Sequence, residues 1–166
     1  MTPPPVSPEN LSTTDLYSIV HAIERDDVTG EIIMSPIAIS SIEGLQKIGN
    51  DPQFPLDGHY TLTQDIDASA TSKWNDGRGF RPIAETGDDA FTGLLDGRGH
   101  KITGLTINRP EEPIVGLFGH IGFAGAVKDL NLCACSLKGA KSVGGIAAIN
   151  NGTVHKCRVS GAIAMD

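Results

Sequence analysis

Apolar positions in the second half of the chain return at a fixed short spacing. Ile102, Leu105 and Ile107 read I-x-x-L-x-I; Val127, Leu130 and Leu132 repeat that spacing 25 residues later, and Val154, Cys157 and Val159 repeat it after a further 27. A second register supports the first, because VGLFGHI (115–121) aligns with VGGIAAI (143–149) at an offset of 28. The length difference falls in a Gly-rich connection, where FAGAV (123–127) is matched by NNGTV (150–154), and a loop tolerates length change at small cost. Self-similarity at this period predicts a solenoid, whose units bury their apolar faces only by stacking on one another.

The first half of the chain carries a different periodicity. Leu16, Ile19, Val20 and Ile23 follow a helical spacing from Thr13 or Thr14, predicting a helix that ends near Asp26. After Pro36, the residues Ile39, Ile42, Leu45 and Ile48 recur every third position and stop at Gly49 and Asn50, predicting a second short amphipathic helix. A stack needs its first coil covered, so the second helix is assigned to capping. Residues 59–67 alternate Tyr60, Leu62 and Ile66 as a strand entering the stack. SKWNDGRGF (72–80) reads as an exposed loop pinned by Trp74, Pro82-Ile83 as the start of the next strand, and residues 110–113 as a tight Pro-containing excursion. The organisation expected is a Pro/Ser/Thr-rich tail without fixed structure (1–13), a helical cap region (14–58) and a mainly β stack (59–166).

Charge and composition narrow the classes. A net charge of −7, with thirteen Lys and Arg that form no cluster, excludes a nucleic-acid or anionic-membrane surface. The apolar runs are far shorter than the roughly 18 to 20 residues of a spanning helix, so no membrane insertion is expected. The N-terminal segment MTPPPVSPENLSTTD lacks the basic start and apolar centre of a cleaved export signal. Three cysteines, an odd number, make no disulfide framework.

Four groups of residues are candidates for chemistry. Asp65 and Asp67, on one face of a strand, and Asp96 are candidate calcium ligands or acid/base groups, with Arg98 and Lys101 as basic neighbours; the competing role is capping and turn formation. Cys133, Cys135 and Cys157, with His155 as a fourth ligand, would form a thiolate metal site. On an uninterrupted strand, however, Cys133 and Cys135 face outward while Cys157 takes the inward slot of Leu130, so such a site needs a bend after Leu132. His21, His59, His100, His120 and His155 form no H-x-x-x-H or H-E-x-x-H arrangement. Asp51-Pro52 reads as a turn; the alternative is calcium-induced self-cleavage, in which the aspartyl carboxylate attacks its own carbonyl. Gly93, Gly97 and Gly99 lie in a strand-turn-strand context, which assigns them to corner geometry and not to a phosphate loop. Arg98, His100 and Lys101, with Trp74, remain free to meet a partner.

Four segments carry a resemblance to a known family. YTLTQDID, FTGLLDGRGHKITGLTI, VGLFGHI and VGGIAAINNGTVHKCRVSG together resemble the GLUG-type repeats of bacterial surface proteins, including filamentous adhesins and the repeat regions of immunoglobulin A peptidases, over about residues 36–166. Two departures stand out: Ile83-Ala84 where the pattern has Ile-Gly, and a Trp-to-Pro gap lengthened by NDGRGFR. The resemblance implies right-handed parallel β-helix coils without a catalytic signature, in a chain whose relatives usually continue further. The expectation is a non-enzymatic interaction module of an exported bacterial protein, secreted or at the cell surface, binding a host protein or glycan without a cofactor. The alternatives are an injected effector or self-cleaving secreted protein, with the Pro/Ser/Thr-rich tail as export leader, and a polysaccharide-active enzyme by fold analogy. An open last coil around residues 154–163 would serve as a pairing edge for a homo-oligomer or for a continuing chain.

Overall fold

In the computed structural model, the described residues are 23–25, 32–86 and 88–166. The first elements are β1 (Ile23–Arg25) and β2 (Ile32–Met34), an antiparallel pair. The C-terminal end of the helix expected over 14–26 is therefore strand, where Ile23 is β-branched and its backbone is bonded to β2. The remainder of that expected helix, and the tail 1–13, lie outside the described residues.

The second expected helix is real but shorter. Strand β3 (Ile37–Ile39) comes first, and α1 (Ile42–Lys47) starts only after Ser41, which lies extended and accepts the Gly44 N–H at 3.1 Å. Gly49, at φ +80°, turns the chain out of the helix. Ile39, Ile42, Leu45 and Ile48 are all buried. The every-third spacing marked inward positions correctly, but it runs from a strand into a helix and so did not mark one element.

The remainder is mainly β, with parallel strands. One five-stranded sheet contains β3, β4 (His59–Leu62), β6 (Leu94–Asp96), β11 (Ala126–Lys128) and β15 (Thr153–His155), in that order. A second contains β5 (Ile66–Asp67), β7 (Lys101–Thr103), β12 (Asn131–Gly139) and β16 (Arg158–Met165), and β8 (Thr106–Asn108) pairs with the far half of β12. Two further parallel pairs join β9 (Ile114–Val115) to β13 (Ser142–Val143) and β10 (Phe118–Ile121) to β14 (Ala147–Asn150). Neighbouring strands in each pairing come from successive stretches of chain, so each stretch forms a level resting on the one before.

The register corrects the expected alignment in two places. Val127 pairs with Val154 and Leu132 with Val159, both at the expected offset of 27. But Val127 pairs on its other side with Leu95, and Ile102 pairs with Leu132, at an offset of 30. Ile107 pairs with Leu137, so the true successor of Ile102, Leu105 and Ile107 is Leu132, Cys135 and Leu137, which has the same spacing. The apolar triplet thus marks a bend, between two strands at 102–107 and 127–132 and at an irregularity within β12 at 132–137. The corner from β6 to β7 holds Gly97, Arg98, Gly99 and His100, whereas that from β11 to β12 holds only Asp129 and Leu130. The second register slips too: Val115 pairs with Val143 at 28, but Phe118 pairs with Ala147 at 29.

The core runs along the stack. Leu62, Leu95, Ile102, Leu105, Val127 and Leu132 are buried on the inner faces, each contributing about 1.5 to 3 kcal/mol relative to exposure. Phe54, Tyr60, Phe91 and Phe118 form an aromatic row, with the last two ring centroids 4.7 Å apart. Tyr60 donates its hydroxyl to the Pro55 carbonyl at 2.6 Å, and burial pushes its pKa far up.

Candidate functional site

The residues 96–101 form an outer corner. Asp96 Oδ1 accepts the Arg98 N–H at 2.9 Å, and the following Arg98 (φ +53°) and Gly99 (φ +80°) take the left-handed turn that leads into β7. Asp65, one level below, accepts the Lys101 N–H at 3.0 Å and contacts His100 Nδ1 at 3.1 Å through the same oxygen. Those two contacts, the backbone N–H first and the imidazole second, hold the Asp65 carboxyl below the usual carboxylate range. Asp96 Oδ2 lies 3.8 Å from Lys128 Nζ one level above. Asp129 and Lys156 take the same left-handed conformation at the next two corners, and with Arg98 and Asn131 they line a shallow groove. Beside it, Lys101, Asn131 and Arg158 stand in register on neighbouring strands. The corner therefore carries a strip of alternating charge along the stacking direction. Trp74 is elsewhere: it is half-buried and packs on the core as the pin of its loop.

The three aspartates singled out as calcium ligands are not brought together. Asp67 Oδ1 accepts the Ser69 N–H at 2.9 Å, which holds its carboxyl low, while Asp65 and Asp96 serve the separate contacts above. Among the described residues, no group of three or more His, Cys, Asp and Glu converges as a metal site. Asp51 Oδ1 accepts the Gln53 N–H at 2.9 Å in the turn that follows α1.

The cysteines require a correction. β12 is not an uninterrupted strand: Ala134 is left-handed (φ +52°), and the pairing with β16 shifts between Leu132 and Cys135. That extra residue turns Cys135 inward, where it is buried, while Cys133 stays half-exposed. Cys157 packs against the core and donates weakly to the Val127 and His155 carbonyls. All three are free thiols, and burial pushes those of Cys135 and Cys157 up.

A polar cleft went unmarked in the sequence. Residues 69–77 form a 3-10 segment broken at Trp74, Asn75 and Asp76, and its end runs against β8. Phe80 N–H donates to Thr106 O, Asn108 N–H donates to Arg78 O, and a Cβ on Gly79 would lie 2.1 Å from Thr106 O, so only glycine fits there. This seam aligns Arg78, Arg81 and Arg109 around a cleft of about 510 Å³ that Thr86 and Glu112 also line. Arg78 pairs with Glu111 and Glu112, and Arg81 with Glu85, which holds the Arg81 guanidinium protonated. The Arg81 backbone is also clamped to α1, donating its N–H to Gln46 Oε1 at 2.8 Å and accepting from Gln46 Nε2 at 3.0 Å. Arg109 differs from both. It is 4% exposed and, among the described residues, has no carboxylate partner. Its Nε has no hydrogen bond, and Nη2 reaches the Gly79 carbonyl only at 3.5 Å. Burial, then the nearby Arg78 charge, lowers its pKa. More than thirty residues separate Arg78 from Arg109, so no local pattern could have exposed the site.

No helix among the described residues is long and apolar enough to cross a membrane. No family model matches the chain, and no solved structure matches it. Two curated proteins do. Halomucin from Haloquadratum walsbyi is 45% identical over 133 residues, covering 78% of this chain and 1% of that protein. A putative Gly-rich membrane protein from Evansella cellulosilytica is 34% identical over 155 residues, covering 87% of this chain and 17% of that protein. The chain thus spans a small part of the length of the curated relatives it matches.

Proposed function

We propose that the stacked levels are coils of a right-handed parallel β-helix, as in GLUG-type repeats, forming a non-enzymatic interaction module of an exported surface protein. Parallel connections that return to the same sheet favour the right hand, and successive levels repeat the same bends with the same inward residues. The names of the two relatives, Halomucin and a putative Gly-rich membrane protein, support a surface or membrane-associated setting.

One observation carries the binding role. Charged side chains at the outer corner line up level upon level, from Asp65 and His100 to Arg98, Asp129 and Lys156, on backbone fixed by the stack. A rigid strip of alternating charge is suited to an extended partner, a host protein or a glycan, met by Arg98, His100 and Lys101. Binding of the purified chain to an array of glycans and cell-surface proteins, repeated with Arg98→Ala and Lys101→Ala, tests it. Retention by one class of partner, weakened in both variants, is the expected result. Turnover of a pectin-like polymer, lost in Asp65→Ala and Asp96→Ala, would overturn the non-enzymatic reading.

A further inference from the structure

We infer that the cleft over Arg109 is a binding site for a hydroxylated carboxylate, that is, a sugar acid. The inference does not rest on the outer-corner reading, since the two sites share no residue.

Charge pairing identifies the ligand class. Three guanidinium groups surround the cleft, and the two at its rim already hold Glu85, Glu111 and Glu112. Arg109 differs in being buried and, among the described residues, in pairing with no carboxylate: its enclosed Nε has no hydrogen bond, and Nη2 makes only a long one. Glu85 and Glu112 border the same cleft but are bonded to Arg81 and Arg78, and a buried cation with no bonded anion and one long hydrogen bond is unfavourable, so a single negative charge with acceptor oxygens suits the floor of the cleft. A planar carboxylate matches the guanidinium fork and supplies one charge. A more highly charged anion would meet Glu85, Glu112 and Asp76, which also border the cleft. Those same carboxylates, with Asn75 and Thr86, are acceptors and donors suited to hydroxyl groups. The volume lies within the usual range of small-ligand sites.

The geometry also explains the surrounding framework. Arg109 is held at the end of β8, with its N–H donating to Lys138 O at 3.0 Å and its carbonyl accepting from Glu112 N–H at 2.9 Å. The Gly79 seam closes one side, and the Gln46 clamp on Arg81 fixes the other. The donors are thus placed before any ligand arrives, which limits the entropy lost on binding.

Amide NMR titration of the full chain at constant ionic strength tests the inference, using glucuronate, glucose, acetate and sulfate as probes. Glucuronate should give saturable shifts at Arg78, Gly79, Arg109 and Glu112 with a dissociation constant on the order of 1 mM. Acetate should bind several-fold more weakly, and glucose should give no saturation. Arg109→Gln should weaken glucuronate at least about tenfold, the loss of a charged bidentate contact. Because Arg109 is buried, Arg81→Gln provides a second variant, on the half-exposed rim, expected to fold as the parent does and to bind glucuronate more weakly. Absence of saturable shifts with every probe would overturn the site. So would equal glucuronate binding by folded Arg109→Gln, and sulfate binding as tightly as glucuronate would overturn the ligand class.

Discussion

The two flanks of the stack use the same kind of residue with opposite outcomes. On the first flank, α1 lies over the start of the sheets, and Ile42, Leu45 and Ile48 are almost fully buried with Ile39. On the other, among the described residues, β15 and β16 are paired on one side only, and Val154, Val159, Ile163 and Met165 are between 37% and 64% exposed. Val159 and Leu132 occupy equivalent ladder positions, yet Leu132 is fully buried. An apolar residue in such a stack is stabilising only where a neighbouring level or cap removes it from water.

The largest effect should come from breaking the core between levels. Leu95→Ala and Leu45→Ala are each expected to cost about 2 to 5 kcal/mol in urea unfolding, while Ile163→Ala on the exposed flank should cost well under about 1 kcal/mol. Equal losses on both flanks would mean that the exposed flank is covered in solution. Next is Gly79→Ala, whose Cβ would meet Thr106 O at 2.1 Å in a backbone already at φ +83°. A loss of about 1 to 3 kcal/mol is expected, together with loosening of the cleft, read as amide exchange at Gly79 and Arg109.

Acid should weaken the contacts of Asp65 and Asp67. The Asp65 and Asp67 carboxyls are held low in the folded chain by the Lys101 and Ser69 N–H groups, so their contribution is present above the ordinary aspartate range. It is lost as pH falls through their lowered folded values. Melting temperature should therefore fall between about pH 4 and pH 2 less steeply in Asp65→Asn than in the parent. An identical acid profile would remove Asp65 from the account. The smallest effect on stability should come from Val159→Lys, which leaves the melting temperature nearly unchanged. We propose that the one-sided edges of β15 and β16 pair with a second copy or with a further coil. Sedimentation should then show self-association in the parent and less in Val159→Lys. A parent that stays monomeric at high concentration would count against pairing through that edge.

Much of the inner face could be read from the sequence: Tyr60, Leu62, Ile66, Ile102, Leu105, Ile107, Leu130 and Leu132 are all buried. The alternation that marks them is local, and burial follows from it once strands stack. Register was less legible. One apolar spacing occurs at more than one kind of bend, and only hydrogen bonding shows that Ile102 lies beside Leu132 and not beside Val127. Helix length and the side taken by Cys135 depended on single residues, Ser41 as a cap and Ala134 as a bulge, whose conformations no periodicity encodes.

The candidate sites divide along the same line. The corner of Asp96, Arg98 and Gly99 was marked by its turn residues, since a carboxylate accepting an N–H two residues on is a short-range event. Lys101 reads as a basic neighbour of Asp65 in the sequence, but that Asp65 would contact the His100 ring and the Lys101 backbone N–H, 35 and 36 residues away, was not visible. By itself, then, the sequence determined that short strands recur and, Cys135 apart, which of the apolar ladder positions turn inward, because those features arise between residues a few positions apart. The tertiary structure alone decided which level lies on which, which end of the ladder is covered, and that Arg78, Arg81 and Arg109 meet around one cleft, with Arg109 bonded to no carboxylate among the described residues. Those outcomes depend on contacts between distant segments, and chain spacing carries no record of them.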